Sequence, residues 1–284
     1  MSEIPELVGN ANGSGTDESG EEKMRLGGMA LRNGLLIHGP THWAVAARTP
    51  DGRIETASGR KPSLARGPLA KVPFLRGPLR LAEAMAVIPL VRMRLRSVRL
   101  PFEDPSVVAA AALSVFISGT LRRFGNPTVT REAVVAILGA LPALTALRDP
   151  SLAAYHAAEH KAIGAYEQDT DAAEMPKEHE RCGSNLIGPM LMMSIAGQVL
   201  IERLFDEPGP LPRAAVGLAG IGTAVELFVF AERNPGSPMG RAVHVPGHEI
   251  QRLVSTREPS YEQLAVGRAA LDEILRAEGH PASA

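Results

Sequence analysis

The chain has 284 residues and a formal net charge of -1 at pH 7, so its overall charge gives no attraction to nucleic acid. Hydrophobic residues make up 45% and the mean hydropathy is 0.00, which suits either a soluble helical protein or a membrane protein diluted by polar segments. The single cysteine, Cys182, excludes an internal disulfide framework and suits a reducing compartment.

The N-terminal part divides into a tail and a small folded element. Residues 1–26 are polar and acidic and have no hydrophobic segment, which predicts a disordered tail and no secretory signal. Residues 27–100 contain short strand patterns at 35–37 and 43–47 and then a helix at 81–100 whose end is rich in arginine. The sequence therefore predicts a small β element and a basic amphipathic helix. Such a helix is typical of the cytoplasmic face of a membrane, although a soluble helix with a charged face fits the same pattern.

Residues 101–232 contain four apolar stretches of 15 to 18 residues. They are shorter than the roughly 20 residues that comfortably cross a bilayer, so a buried soluble bundle remains an alternative. With the N-terminus inside, more arginines fall on the side of the residues between the second and third stretches, 149–185, which favours a membrane bundle with that loop in the cytoplasm. The four stretches are Val107–Leu121, Ala133–Leu147, Leu186–Ile201 and Ala214–Ala231.

The loop 149–185 carries the pattern His156-Ala157-Ala158-Glu159-His160. Histidines four residues apart on a helix share one side, so both imidazoles can reach the same metal ion. In this H-x-x-E-H order, the glutamate can act as general base on a metal-bound water, so Glu159 is a candidate catalytic residue. A polar helix face with solvated histidines is the alternative.

His179 and Cys182 follow about two dozen residues later and extend the candidate ligand set, which favours zinc. If His156 and His160 are joined by one of the two, an open position remains and the site is catalytic. If all four bind, the site is closed and the metal staples a membrane scaffold or assembly factor. A partner-binding loop without metal is the third possibility.

The C-terminal half adds one further candidate. Glu226 lies inside the fourth apolar stretch, where a carboxylate is costly unless it is paired or functional, so it is either a second catalytic candidate or the partner of an arginine. Residues 233–284 predict a Gly- and Pro-rich loop carrying His244, His248 and Glu249 and then a last amphipathic helix. Ser260 and Gln263 form the capping box of that helix.

These motifs together resemble the YqhQ-like family, defined as the domain of unknown function DUF1385. The resemblance covers residues 27–278 and rests on the His156 and Cys182 motifs and on Lys71–Gly77 and Thr256–Pro259. It implies a multi-pass membrane protein and a metal-dependent enzyme without an established reaction or substrate. The metal-site residues add the expectation of a hydrolase-like reaction, and the cell membrane is the expected location. The expected fold is mainly α, a helical membrane bundle with a small N-terminal β element and a cytoplasmic metal-site loop.

Overall fold

The computed structural model describes residues 23–62, 72–124, 128–205 and 208–280. Residues 1–22 of the predicted acidic tail lie outside these ranges, as do residues 63–71 in the segment before the first helix. The described part is mainly helical and has a small antiparallel sheet near its N-terminus, in agreement with the fold class expected from the sequence.

Four short strands form the sheet and follow one another in chain order. They are β1 (Gly27–Leu31), β2 (Gly34–His38), β3 (His42–Arg48) and β4 (Ile54–Arg60). Leu36 of β2 pairs with Val45 of β3, and Ile37 pairs with Ala44. Since successive side chains of a strand point to opposite faces, the unbroken apolar runs of β2 and β3 supply a buried surface on both sides of the sheet.

Helices cover both faces of this sheet. On one face, Leu35 and Ile37 pack with residues of α5 (Pro150–Gln168) and α9 (Tyr261–Glu278). On the other face, Leu36 and Trp43 pack with residues of α1 (Arg76–Arg94). The helix that carries the H-x-x-E-H pattern is therefore an internal element, packed against the sheet and against α9 beside it.

Four helical segments are long and apolar enough to cross a membrane, and they coincide with the four predicted stretches. Polar residues at their ends lengthen the segments to between 18 and 24 residues. In each segment, no more than 28% of the most apolar stretch of 18 residues is buried. Large apolar side chains stay outside, such as Phe116, which is 71% exposed. An apolar surface of this extent is unusual for a protein in water and consistent with a membrane protein. The segments are α2 (Pro105–Phe124), Val129–Ala146 with α3 (Val129–Gly139) and α4 (Leu141–Ala146), Gly183–Leu204 with α6 (Ile187–Leu204), and α7 (Pro210–Arg233).

Charged side chains join the hairpin of α2 and α3 to the hairpin of α6 and α7, at the ends of these helices that are distant from the sheet. Arg131 of α3 contacts Glu132 at 3.0 Å and also contacts Glu202 of α6. Arg122 binds Glu132 at 2.7 Å, and Arg213 binds Glu202 at 3.0 Å. Three arginines at these ends of the helices are thus paired with carboxylates.

The segment after α7 differs from the predicted Gly- and Pro-rich loop. It forms helix α8 (Pro238–Ile250) and then a π-helical turn, Gln251–Ser255. Ser237 caps α8 by accepting a bond from the Gly240 N–H at 2.9 Å, and proline is well suited to the first helical position. Glycine serves close packing here, because a Cβ on Gly247 would lie 1.8 Å from Oδ1 of Asn185. The predicted capping box of Ser260 and Gln263 is confirmed at the start of α9.

Candidate metal centre

Helix α5 provides the platform of the site. It begins after Asp149, whose carboxylate accepts a bond from the Ser151 N–H at 2.9 Å, and Pro150 occupies the first helical position. One turn separates His156 from His160, and the centroids of their rings lie 4.4 Å apart. His160 is 3% exposed. The two imidazoles therefore meet on one side of a largely buried helix, as their spacing predicted.

The hydrogen bonds of the two rings fix their tautomers. Nδ1 of His156 donates to the carbonyl oxygen of Ser255 at 2.8 Å, and Nδ1 of His160 donates to that of Lys177 at 2.7 Å. Since a carbonyl oxygen can only accept, both protons are on Nδ1 and both Nε2 atoms keep a lone pair. A ligating histidine typically has this arrangement, with its second nitrogen bound to a carbonyl or carboxylate.

Cys182 completes a group of three ligand atoms. Its Sγ lies 3.4 Å from Nε2 of His156 and accepts a bond from the Ser184 N–H at 3.5 Å. One ligand atom each from His156, His160 and Cys182 can be chosen so that all lie within 4.8 Å of one another. The thiol is buried and stands immediately before the Gly183–Leu204 segment. Three parts of the chain meet here: α5, Cys182 just before the Gly183–Leu204 segment, and the π-helical turn behind His156.

The separation of the His156 and Cys182 ligand atoms matches that of a tetrahedral zinc site. With Zn–N of about 2.0 Å and Zn–S of about 2.3 Å, a tetrahedral angle places nitrogen and sulfur about 3.5 Å apart. The observed separation of Nε2 of His156 and Sγ of Cys182 is 3.4 Å. Two imidazoles and one cysteine, which binds as the thiolate after losing its proton, are also ligands that zinc accepts readily. The residues present thus fit the metal that the sequence predicted.

His179 lies next to this group, but its nitrogens have other partners. Its ring centroid is 5.6 Å from that of His160. Nδ1 accepts a bond from the Arg181 N–H at 3.2 Å, so the proton is on Nε2, which lies 3.4 Å from the carboxylate of Glu167. Glu167 also pairs with Arg181. The predicted fourth ligand is therefore close to the site while both of its nitrogens are engaged elsewhere.

Glu159 is a buried carboxylate beside the ligand group. It is 5% exposed, and its Oε2 lies 3.9 Å from Nε2 of His160. Burial raises the pKa of its carboxyl group, and this effect is partly opposed by the nearby His156 and His179. Gly28 of β1 makes room for it, because a Cβ at that position would lie 2.5 Å from Oε1 of Glu159. The carboxylate is held against the sheet, next to the three ligand atoms but outside their group.

Burial also controls the protonation of the ligands. It lowers the pKa of His160 well below its usual value, and repulsion by His156 acts in the same direction. It raises the pKa of the Cys182 thiol, and hydrogen bonds from Ser184 oppose this. At neutral pH and without a cation, His160 is neutral and Cys182 keeps its proton.

Gln251 is a positioning residue that the sequence did not reveal. Its Oε1 accepts a bond from the His179 N–H at 2.7 Å, and its Nε2 donates to the His179 carbonyl at 3.2 Å and to Oγ of Ser184 at 2.9 Å. It is 1% exposed. Gln251 thus joins the backbone of His179 and the hydroxyl of Ser184, on either side of Cys182, to the π-helical turn whose last residue, Ser255, orients His156. In the sequence, Gln251 follows the pair His248-Glu249 by two residues and belongs to no motif, so this positioning role could not be predicted.

The remaining candidates lie apart from the group of three. The carboxylate of Glu226 accepts bonds from Nε of Arg76 at 2.7 Å and from the Phe74 N–H at 3.2 Å, and it also binds Nη2 of Arg76. Its geometry therefore matches the arginine-partner alternative. His248 has a side chain that is 52% exposed and lies 4.0 Å from Glu249, and His244 has an aromatic contact with Phe228.

Comparison with known proteins places the chain among uncharacterised relatives. The family described as "Protein of unknown function (DUF1385)" is matched by residues 134–277, which include all three ligands. The chain is also similar to "Uncharacterized protein YqhQ" of Bacillus subtilis (strain 168), with 24% identity over 302 residues that cover 89% of this chain and 92% of the relative. No solved structure matches the chain.

Proposed function

Because the chain belongs to the DUF1385 family, whose description names no reaction, we propose a function from its own side chains. It is a metal-dependent membrane enzyme of hydrolase type that holds one zinc ion between His156, His160 and Cys182. The observation that carries the proposal is the pair of free Nε2 lone pairs near a thiol, with a buried carboxylate beside them. Three protein ligands leave a coordination position open, as in catalytic zinc sites.

Each residue has a defined task in this proposal. His156 and His160 bind through Nε2 and are held in place by the carbonyls of Ser255 and Lys177. When bound, the metal supplies Lewis acidity and lowers the pKa of water from about 16 to about 7. Glu159 accepts the proton at its carboxylate, which is close to His160 and shielded from bulk water. His179, hydrogen bonded to Glu167, lies at the edge of the site.

The proposed location is the cell membrane, with the metal centre on the cytoplasmic side. Support comes from the four apolar segments, whose sheet-side ends lead to α5 and α8 while the opposite ends are joined by short connections. Arginines Arg92, Arg94, Arg96 and Arg99 lie at the sheet side. Arg233 ends the fourth segment and Arg241, Arg252 and Arg257 follow it on the same side, whereas the opposite side carries Arg122, Arg123, Arg131, Arg203 and Arg213. The larger number of arginines on the sheet side favours a cytoplasmic location for it.

Reporter fusions test this orientation. Green fluorescent protein fused after Gly183 is expected to fluoresce and alkaline phosphatase fused there to be inactive, because two spans precede that point. Fusions after Phe205, beyond the third span, should give the reverse. An active phosphatase after Gly183 would place the metal centre outside the cell and overturn the proposed topology.

Metal analysis tests the site itself. The protein purified in detergent without chelators is expected to contain about one zinc ion per chain, and His160→Ala is expected to lose it, because the remaining two ligands hold the ion far less tightly. The matched control is His248→Ala, which removes an exposed histidine outside the group and should keep the metal.

Cobalt substitution identifies the sulfur ligand. A cobalt-loaded protein should show a thiolate-to-metal absorption band that disappears in Cys182→Ser. Wild-type protein without stoichiometric metal, or a His160→Ala variant that retains the ion in full, would refute the proposed site.

A further inference from the structure

The turn before α1 packs against α7 within the length of that helix. The Phe74 N–H and the Arg76 guanidinium both donate to Glu226 of α7. Gly222, one turn away on the same helix, has no room for a side chain, because a Cβ there would lie 2.1 Å from the carbonyl oxygen of Phe74. A Cβ on Gly77 would lie 2.7 Å from Cβ of Val225. Backbone and side-chain contacts thus fix the start of α1 to this part of α7.

The position of these contacts along α7 gives their depth. Glu226 and Gly222 lie seven and eleven residues before the end of α7 at Arg233. At about 1.5 Å per residue, they are about 10 and 16 Å from the sheet-side end of the helix. The hydrocarbon layer of a bilayer is about 30 Å thick. If α7 spans it, the Phe74 turn lies well inside the layer.

The exposed side chains of this segment are mostly apolar. Val72, Phe74, Leu75 and Leu81 are between 40% and 53% exposed. The polar contact between Nζ of Lys61 and Oε1 of Glu83, at 3.3 Å, marks the level at which α1 reaches the sheet. Arg80 lies one turn above Arg76, where a long side chain can extend towards the surface. The exposed apolar side chains are thus concentrated on the side of the Lys61–Glu83 pair that faces away from the sheet.

We propose that residues 72–82 form a re-entrant segment that inserts among the lipid acyl chains beside α7, in addition to the four apolar helices. This inference rests on the membrane insertion of the proposed function and is independent of the metal. The hydrocarbon of the bilayer covers the exposed surface formed by Val72, Phe74, Leu75 and Leu81. This surface adjoins the exposed apolar face of α7.

The contacts of Glu226 explain how polar groups are tolerated at this depth. A single charge in hydrocarbon is costly, whereas Arg76 and Glu226 are held together by two hydrogen bonds. The third bond, from the Phe74 N–H, satisfies a backbone donor that would otherwise face lipid. Phe74 has a φ of 67°, a conformation that persists in a non-glycine residue only where its surroundings hold it. Glu226 is accordingly a positioning residue for the segment.

Tryptophan quenching by brominated lipids measures the depth. The chain has one tryptophan, Trp43, which is 1% exposed within the sheet domain, so an added indole dominates any change in quenching. In vesicles of phosphatidylcholine brominated midway along the acyl chains, Leu75→Trp is expected to lose most of its added fluorescence. Met93→Trp is the control, an exposed site at the other end of α1 between Arg92 and Arg94, and it should keep its fluorescence.

A second pair of variants tests the contact with α7. In the Leu75→Trp protein, Gly222→Val should reduce deep quenching, because the new side chain displaces the Phe74 carbonyl. Gly217→Val should not, since a Cβ at Gly217 meets nothing within 4 Å.

Phe116→Trp on α2 distinguishes failure of the proposed re-entrant segment from failure of membrane insertion as a whole. If it is quenched while Leu75→Trp behaves like Met93→Trp, the re-entrant segment is wrong and membrane insertion stands. If Phe116→Trp is not quenched either, membrane insertion itself fails and the re-entrant segment fails with it.

Discussion

The Glu159→Gln protein is expected to keep its zinc and its fold and to lose its activity. Glutamine has the same size and keeps one acceptor, but it cannot take a proton, and removal of a general base typically lowers a rate by about 10² to 10⁴. The carboxylate lies outside the group of three ligand atoms, so metal content should not change. The readouts are elemental analysis of the purified variant and its ability to restore the phenotype of a strain that lacks the gene.

The exposed carboxylate of Glu174 gives the control. It lies on the same loop as the ligands but is open to solvent, so Glu174→Gln should complement fully. A Glu159→Gln protein that holds its metal and also complements fully would favour the alternative of a metal-stapled scaffold. In that case Cys182→Ala should release the ion and destabilise the protein, since metal binding would then stabilise the fold directly.

Local spacing was sufficient to predict the core of the site. His156 and His160 are one helical turn apart, and that geometry depends only on the helix, not on the rest of the fold. Cys182 was identified by its chemistry and its proximity in the chain. The four apolar segments were likewise predicted from runs of apolar residues, because the length and hydropathy of such runs are properties of the sequence itself.

Contacts between distant parts of the chain were not predictable in this way. The carbonyl that orients His156 belongs to Ser255, 99 residues away, and Gln251 binds the backbone of His179 from 72 residues away. Neither residue belongs to a recognised motif. Helix α8 was missed because proline and glycine usually end helices, whereas here they start one and allow close packing. The partners of His179 also depend on tertiary structure.

Gly28→Ala is expected to impair the enzyme without touching a ligand. The added Cβ would lie 2.5 to 2.7 Å from Oε1, Cδ and Cγ of Glu159, so the carboxylate must shift from the position it has beside the three ligand atoms. Gly28 does not have a positive φ, so alanine adds no backbone strain and the effect is confined to the displaced side chain. A displacement of about 1 Å in an active site can lower the rate about 10²-fold. Metal content should stay unchanged, because His156, His160 and Cys182 do not contact Gly28 in this way.

The neighbouring glycine provides the comparison that makes this result specific. A Cβ on Gly27 meets nothing within 4 Å, so Gly27→Ala should complement like the wild type although it changes the same strand. Combining Gly28→Ala with Glu159→Gln should be no worse than Glu159→Gln alone, because both substitutions act through one carboxylate and their effects are then not additive. If Gly28→Ala is fully active, or if the double variant is additively impaired, the carboxylate of Glu159 does not act from the position that the structure gives it.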